Sequence, residues 1–164
     1  DLTSSISATN RAPRGAEVQG HDYHFFSTEG FKERIEAGDF LEWEEVYPGR
    51  YYGTWRAEVE RHWSAGKHIL FDVDVEGGLR LKSILKDEIL AVFVRPPSLE
   101  VLEERLRNRG TDSEDDIARR LAKAAAEMER SPGFAVELVN DVHETATQEL
   151  IQRTADFLGP AEPK

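Results

Sequence analysis

Arg11 and Arg14 stand three residues apart, and Pro13 stiffens the loop between them. Arginine offers phosphate a planar, two-pronged grip. Ser7 and Thr9 precede the pair, Glu17 follows it, and Tyr23 and Tyr52 add neutral hydroxyl donors on rigid rings. Taken alone, Arg-x-x-Arg reads most simply as a solvated turn, and the tyrosines as ordinary strand aromatics. Glu42, beside Glu44 and Glu45, is either an acceptor in a site or part of the solvated face of an edge strand. Asp72 and Asp74 lie near the end of the apolar run from His68 to Val75. Acids in such a place can organise a divalent cation through water or hold a ligand. The simpler reading is Asp as a strand terminator, although acids inside an apolar run carry a desolvation cost. Arg105, Arg109 and Arg120 could place charge around a moving phosphoryl group. Equally, they could compensate helix ends or pair with Glu100, Glu103 and Glu104. His21 and His24 lack a third ligand, and a β segment would turn them to opposite faces, so no metal role is assigned.

The elements that must carry these residues follow from periodicity and punctuation. Leu2 to Ser7 and Asp22 to Ser27 read as strands. Phe31 and Ile35 begin a short helix that Gly38 ends. Phe40 to Val46 reads as a strand, Pro48-Gly49 as a turn, and Thr54 to Ala65 as a helix stopped by Gly66. His68 to Val75 and Ile89 to Val94 read as strands of a sheet covered on both faces. Helices are predicted over Gly77 to Ile84 and over Ser98 to Asn108, with Ser98 as N-cap. Ser113 with Asp116 resembles a capping box, and Ile117, Leu121, Ala124 and Met128 form the apolar stripe behind it. Val136 to Val139 is a further strand, and Ala146 to Phe157 mark a closing helix. Strands alternating with helices argue for α/β with a mainly parallel sheet.

Composition bounds the partners. The 164 residues carry 21 basic against 32 acidic side chains, a net charge of −11. That argues against a general nucleic-acid or acidic-membrane surface. The absence of cysteine excludes disulfides, zinc fingers and thiol catalysis. No leader is visible, and the longest apolar run, Ile89 to Val94, is far too short for a bilayer. The expectation is a cytoplasmic protein of one domain over 1–164, with the tail from Gly159 to Lys164 disordered.

Six motifs stand in order along the chain. They are Ser-x-x-x-Arg-x-Pro-Arg-x-x-Glu-Val-x-Gly-x-Asp-Tyr from Ser7 to Tyr23, Phe40-Leu41-Glu42-Trp43, and Tyr51-Tyr52-Gly53-Thr54. After them come Leu70-Phe71-Asp72-Val73-Asp74, Arg105-x-x-x-Arg109-Gly110-Thr111 and Val139-Asn140-Asp141. Order and spacing resemble the guanylate kinase family, from Ser5 to about Leu158. The resemblance implies a three-layer P-loop kinase-type fold with a mainly parallel central sheet. It implies an inserted GMP-binding subdomain over 9–65 and a helical lid over 106–131. It implies transfer of the ATP γ-phosphoryl group to GMP with Mg²⁺ as cofactor.

By the same resemblance Ser7, Arg11, Arg14, Glu17, Tyr23, Glu42, Tyr52, Gly53, Thr54 and Asp74 bind GMP. Asp72, Arg105, Arg109 and Arg120 serve the transfer, with Arg105, Arg109 and Asn140 on the ATP side. Guanine presents two adjacent donors, its N1 hydrogen and its 2-amino group, and the carboxylate of Glu42 can accept from both. A homo-oligomer stays open. The alternative is a catalytically inactive member of the guanylate-kinase-like interaction domains, its cleft docking a phosphorylated peptide.

The family's Gly-x-x-x-x-Gly-Lys-Ser/Thr loop is not found in the 164 residues. The expectation is that it lies upstream of Ser5, in a strand–loop–helix of about 25–30 residues. Smaller departures are Asn10 where the family commonly has Thr, an extra residue around Tyr47-Pro48-Gly49, and Val142 where a second acid often follows Asn-Asp.

Overall fold

The computed structural model describes residues 2–110 and 112–159. In chain order its first elements are β1 (Leu2–Ser4), β2 (Ser7–Thr9), β3 (His24–Phe25), α1 (Thr28–Glu36), β4 (Phe40–Tyr47) and β5 (Arg50–Trp55). Next come α2 (Arg56–Ser64), β6 (His68–Leu70), α3 (Val75–Leu85) and β7 (Val92–Arg95). The last are α4 (Leu99–Arg109), α5 (Glu114–Met128), β8 (Val136–Val139) and α6 (His143–Leu158). Thr111 and the tail from 160 onward, both part of the sequence expectations, lie outside the described residues. The chain divides into two units, Asp1–Ile84 and Leu85–Lys164. Among the described residues no helix is long and apolar enough to cross a membrane.

In the first unit a four-stranded sheet has the order β3-β2-β5-β4. β2 pairs with β3 in parallel, and β5 runs antiparallel to both β2 and β4. Pro48-Gly49 closes the β4–β5 hairpin, with Gly49 in the left-handed region at φ 74°. Below the sheet, Ala8, Phe31 and Phe40 form a buried cluster, and the Phe31 and Phe40 rings stack at 4.5 Å between centroids. Each buried ring contributes about 1.5–3 kcal/mol. Ser27 caps α1 by accepting from the Gly30 N–H at 3.0 Å, which aims Phe31 into that cluster. β1 and β6 form a separate parallel pair.

In the second unit β7 and β8 pair in parallel, and Phe93, Leu138, Ala146 and Ile117 are buried. Ser98 caps α4 and Gly110 ends it at φ 67°. Ser113 caps α5, accepting from the Asp116 N–H while its hydroxyl donates to the Asp116 carboxylate. Both starts agree with the sequence signals.

Five expected elements are corrected. The strand expected over Leu2 to Ser7 is two strands in different sheets, Leu2–Ser4 against β6 and Ser7–Thr9 against β3 and β5. Thr54 and Trp55 belong to β5, and the helix begins only at Arg56. The ladder to β2 and β4 wins over local helical character there. The strand expected over His68 to Val75 ends at Leu70, because β1 offers partners only from Leu2 to Ser4. Asp72 and Asp74 therefore follow the strand rather than sit in it, and α3 starts at Val75. The strand expected over Ile89 to Val94 is Val92–Arg95, beginning where Val136 first faces it. The strand expected over Asp22 to Ser27 shrinks to two residues.

Candidate active site

β5 lies between β2 and β4, so its register sets the site. Thr54 faces Ser7 on one side and Glu42 on the other. Two residues along the same face, Tyr52 faces Thr9 and Glu44. The rungs are roughly 7 Å apart, two strand residues of rise. Three expected base readers thus stand on one rung, and an expected phosphate ligand stands on the next.

Glu42 reaches this position through an irregularity. Phe40 pairs with Trp55 and Glu42 with Thr54, so β4 carries an extra residue there. Such a bulge re-aims side chains, and it leaves Phe40, Leu41 and Glu42 all buried in succession. Gly53 makes this approach possible. A Cβ there would meet the Glu42 carbonyl oxygen at 2.9 Å and the Trp43 Cβ at 3.1 Å. Glu42 is 4% exposed, and Thr54 Oγ1–H donates to its Oε1 at 2.6 Å. Burial pushes the Glu42 carboxyl above the ordinary carboxylate range, and Asp74 adds to the push. The Thr54 bond and the charge of Arg80 act in the opposite sense.

A cleft of about 250 Å³ opens over these rungs. Of the residues singled out in the sequence, Ser7, Tyr23, Glu42, Tyr52, Gly53, Asp72 and Asp74 line it. Glu44, Val46 and Val73 line it as well and were missed. Strand alternation from Glu42 would have put Glu44 and Val46 on the same face. Glu44 pairs with Arg80 at 3.1 Å, and Arg80 also donates to the Trp43 carbonyl, tying α3 to β4.

Beside Tyr23 on the cleft wall, the Arg11 guanidinium lies over that ring at 4.6 Å. Its two terminal nitrogens donate to the two oxygens of Glu17 at 2.6 and 2.7 Å. That fork holds the Glu17 carboxyl down to about 2, helped by the Arg14 backbone N–H. The Arg11 Nε is buried without a hydrogen-bond partner. Glu17 thus fixes Arg11 in place, while the Arg14 side chain is exposed.

Asn10 braces the same corner. Its Nδ2 donates to Thr28 Oγ1 and to the Gly49 carbonyl, and its Oδ1 accepts from the Tyr51 N–H. The two positions expected to depart from the family pattern, Asn10 and the Tyr47-Pro48-Gly49 turn, are therefore in direct contact.

In the second unit the three arginines fall into two groups by partner. Arg105 donates to the carbonyls of Asn140 and Asp141 at 2.7 and 2.9 Å. Arg109 and Arg120 share the carboxylate of Asp112, at 2.6 and 3.4 Å. His24 bonds Glu58 and His21 approaches Asp22.

Family, sequence and fold all have counterparts among known proteins. The family model described as Guanylate kinase matches residues 1–155. A guanylate kinase of Porphyromonas gingivalis is 46% identical over 158 residues, covering 96% of this chain and 84% of that protein. One from Idiomarina loihiensis is 52% identical over 137 residues, covering 84% of this chain and 64% of that protein. The crystal structure of guanylate kinase from Anaplasma phagocytophilum superposes with a TM-score of 0.75 at 29% identity, covering 96% of this chain and 77% of that one. The fold is α/β, of the P-loop kinase type, and its class is the nucleoside monophosphate kinases. Within that class, the chain belongs to the guanylate kinase family.

Proposed function

We propose that this chain binds GMP in the cleft of its first unit and takes part in Mg²⁺-dependent transfer of the ATP γ-phosphoryl group to it. The observation that carries the reading is the rung Ser7–Thr54–Glu42, with a buried carboxylate held by a hydroxyl and offered to the cleft. Ionised Glu42 accepts from the N1 hydrogen and the 2-amino group of guanine. Adenine has no N1 hydrogen, so it leaves the carboxylate unpaired and is rejected. Ser7 donates to O6, Thr54 spends its one hydroxyl proton on orienting Glu42, and Asp74 adds an acceptor beside the amino group.

One rung away, Tyr52 donates to the phosphate. Tyr23, Arg14 and the Glu17-braced Arg11 complete the grip. The attacking GMP phosphate oxygen is already ionised, so the chain needs no strong general base. Its task is positioning and charge compensation, for which family membership nominates Arg105, Arg109 and Arg120. Asn140, whose carbonyl holds Arg105, belongs with them on the ATP side.

Among the described residues no group of three or more His, Asp or Glu is arranged to hold a metal. Mg²⁺ is commonly held by one or two carboxylates together with substrate phosphates and water. The exposed Asp72 carboxylate on the cleft wall suits that role, with hard oxygen donors. The ion would screen the charge of the phosphates. The subdomain boundaries 9–65 and 106–131 belong to the same reading.

The test is phosphoryl transfer by the full-length gene product with ATP and Mg²⁺, offered GMP, AMP, CMP and UMP in turn. GDP should form at least tenfold faster than any other diphosphate. Equal rates with AMP would reject the reading.

A further inference from the structure

Gly77 sits in the first turn of α3 with no unusual backbone conformation; its φ is not among the positive ones. Glycine is a poorer helix former than alanine, so local propensity argues against it here. Space explains it. A Cβ at Gly77 would lie 3.0 Å from Glu42 Oε2, 3.2 Å from Asp74 Oδ1 and 3.3 Å from Val73 Cβ. Neither oxygen has an easy retreat. The Gly77 N–H donates to Asp74 Oδ1 at 2.9 Å, and Glu42 is anchored through its other oxygen to Thr54.

We propose that Gly77 is a specificity-determining positioning residue: its missing side chain lets the Glu42 and Asp74 carboxylates stand together over the start of α3. The proposal rests on the reading of these two acids as the guanine acceptors. The first turn of a helix is also where negative charge is favoured. A methyl group at 77 would push Glu42 Oε2 aside by a few tenths of an ångström. That displaces one of the two oxygens that must meet the guanine donors together, and it leaves the phosphate end untouched.

The experiment titrates GMP and AMP calorimetrically into wild type, Gly77→Ala, Glu42→Gln and the double variant, with thermal melts of all four. Gly77→Ala should bind GMP about tenfold more weakly and AMP within twofold of wild type, while still melting in one cooperative transition. In the Glu42→Gln background it should add little, because the group it displaces has already lost its function. A wild-type GMP:AMP ratio in Gly77→Ala, alongside a changed ratio in Glu42→Gln, would overturn this proposal alone. An unchanged ratio in Glu42→Gln would instead overturn the guanine-reading assignment beneath it. A full-sized effect of Gly77→Ala on top of Glu42→Gln, or loss of cooperative melting, would also overturn the proposal, since the methyl would then act elsewhere.

Discussion

Thr54 Oγ1 donates to Glu42 Oε1 at 2.6 Å across the β4–β5 ladder, and both residues are nearly inaccessible to solvent. A buried carboxylate with one oxygen fixed keeps its other oxygen aimed. Thr54→Val preserves shape and removes the donor. It should cost about 1–3 kcal/mol of stability, because a buried acceptor loses its partner. It should also weaken GMP more than AMP. Chemical denaturation with paired titrations of the two nucleotides checks both, and an unchanged midpoint would contradict the role given to this bond.

Acid should weaken GMP binding early. Glu42 must be ionised to accept two donors, and burial raises its pKa above the ordinary carboxylate range. GMP affinity should fall as pH drops through that raised value, while AMP affinity stays flatter. The stability sign is opposite. A carboxyl with a raised folded-state pKa contributes stability below its unfolded pKa and loses it as pH rises through the folded one. At neutral pH, ionised Glu42 therefore costs stability, and Glu42→Gln should melt higher than wild type. A lower melting temperature at pH 7 would contradict this.

The phosphate end should be indifferent to the base. Arg11→Ala removes the guanidinium that Glu17 and Tyr23 hold. GMP and AMP should both weaken by about tenfold or more, at a preserved ratio, as expected for loss of a charged hydrogen bond. A selective loss of GMP would place Arg11 at the base instead.

Glu58 is a separate structural joint. Its oxygens accept from the Ile6 N–H at 3.0 Å and bond His24 at 2.9 Å, joining α2 to β3 and to the β1–β2 link. Glu58→Ala should destabilise by about 2–4 kcal/mol, since two inward-facing groups lose their partner. Denaturant unfolding measures it, and a loss below about 0.5 kcal/mol, the range of surface changes, would contradict the assignment.

These sites differ in how far they could be read from sequence. Ser98 and Ser113 announce their helices because a cap is a local event, complete within four residues. β5 was hidden because Tyr51 to Thr54 runs without a break into α2, and only the ladder to β2 and β4 makes it a strand. The β4 bulge is likewise a property of pairing. The candidate residues that line the cleft were legible through order and spacing of motifs. Their supports were not: Glu44 needed the face of β4, and Gly77 needed the approach of two segments 35 positions apart in sequence. The Arg11–Glu17 fork joins residues six apart, but nothing local indicates that both arms of the arginine are engaged.

The central claim is that Glu42 chooses the base. Glu42→Gln keeps the size of the side chain and replaces one acceptor oxygen with a donor that faces a guanine donor. That mismatch is worth about 1–3 kcal/mol. Arg11, Arg14, Tyr23 and Tyr52 still hold the phosphate, so binding should persist. Calorimetric titration of GMP and AMP into wild type and Glu42→Gln measures the ratio directly. The preference for GMP should fall by at least about tenfold, one step of 1.4 kcal/mol; a wild-type ratio in the variant would contradict the assignment of Glu42 as the guanine reader.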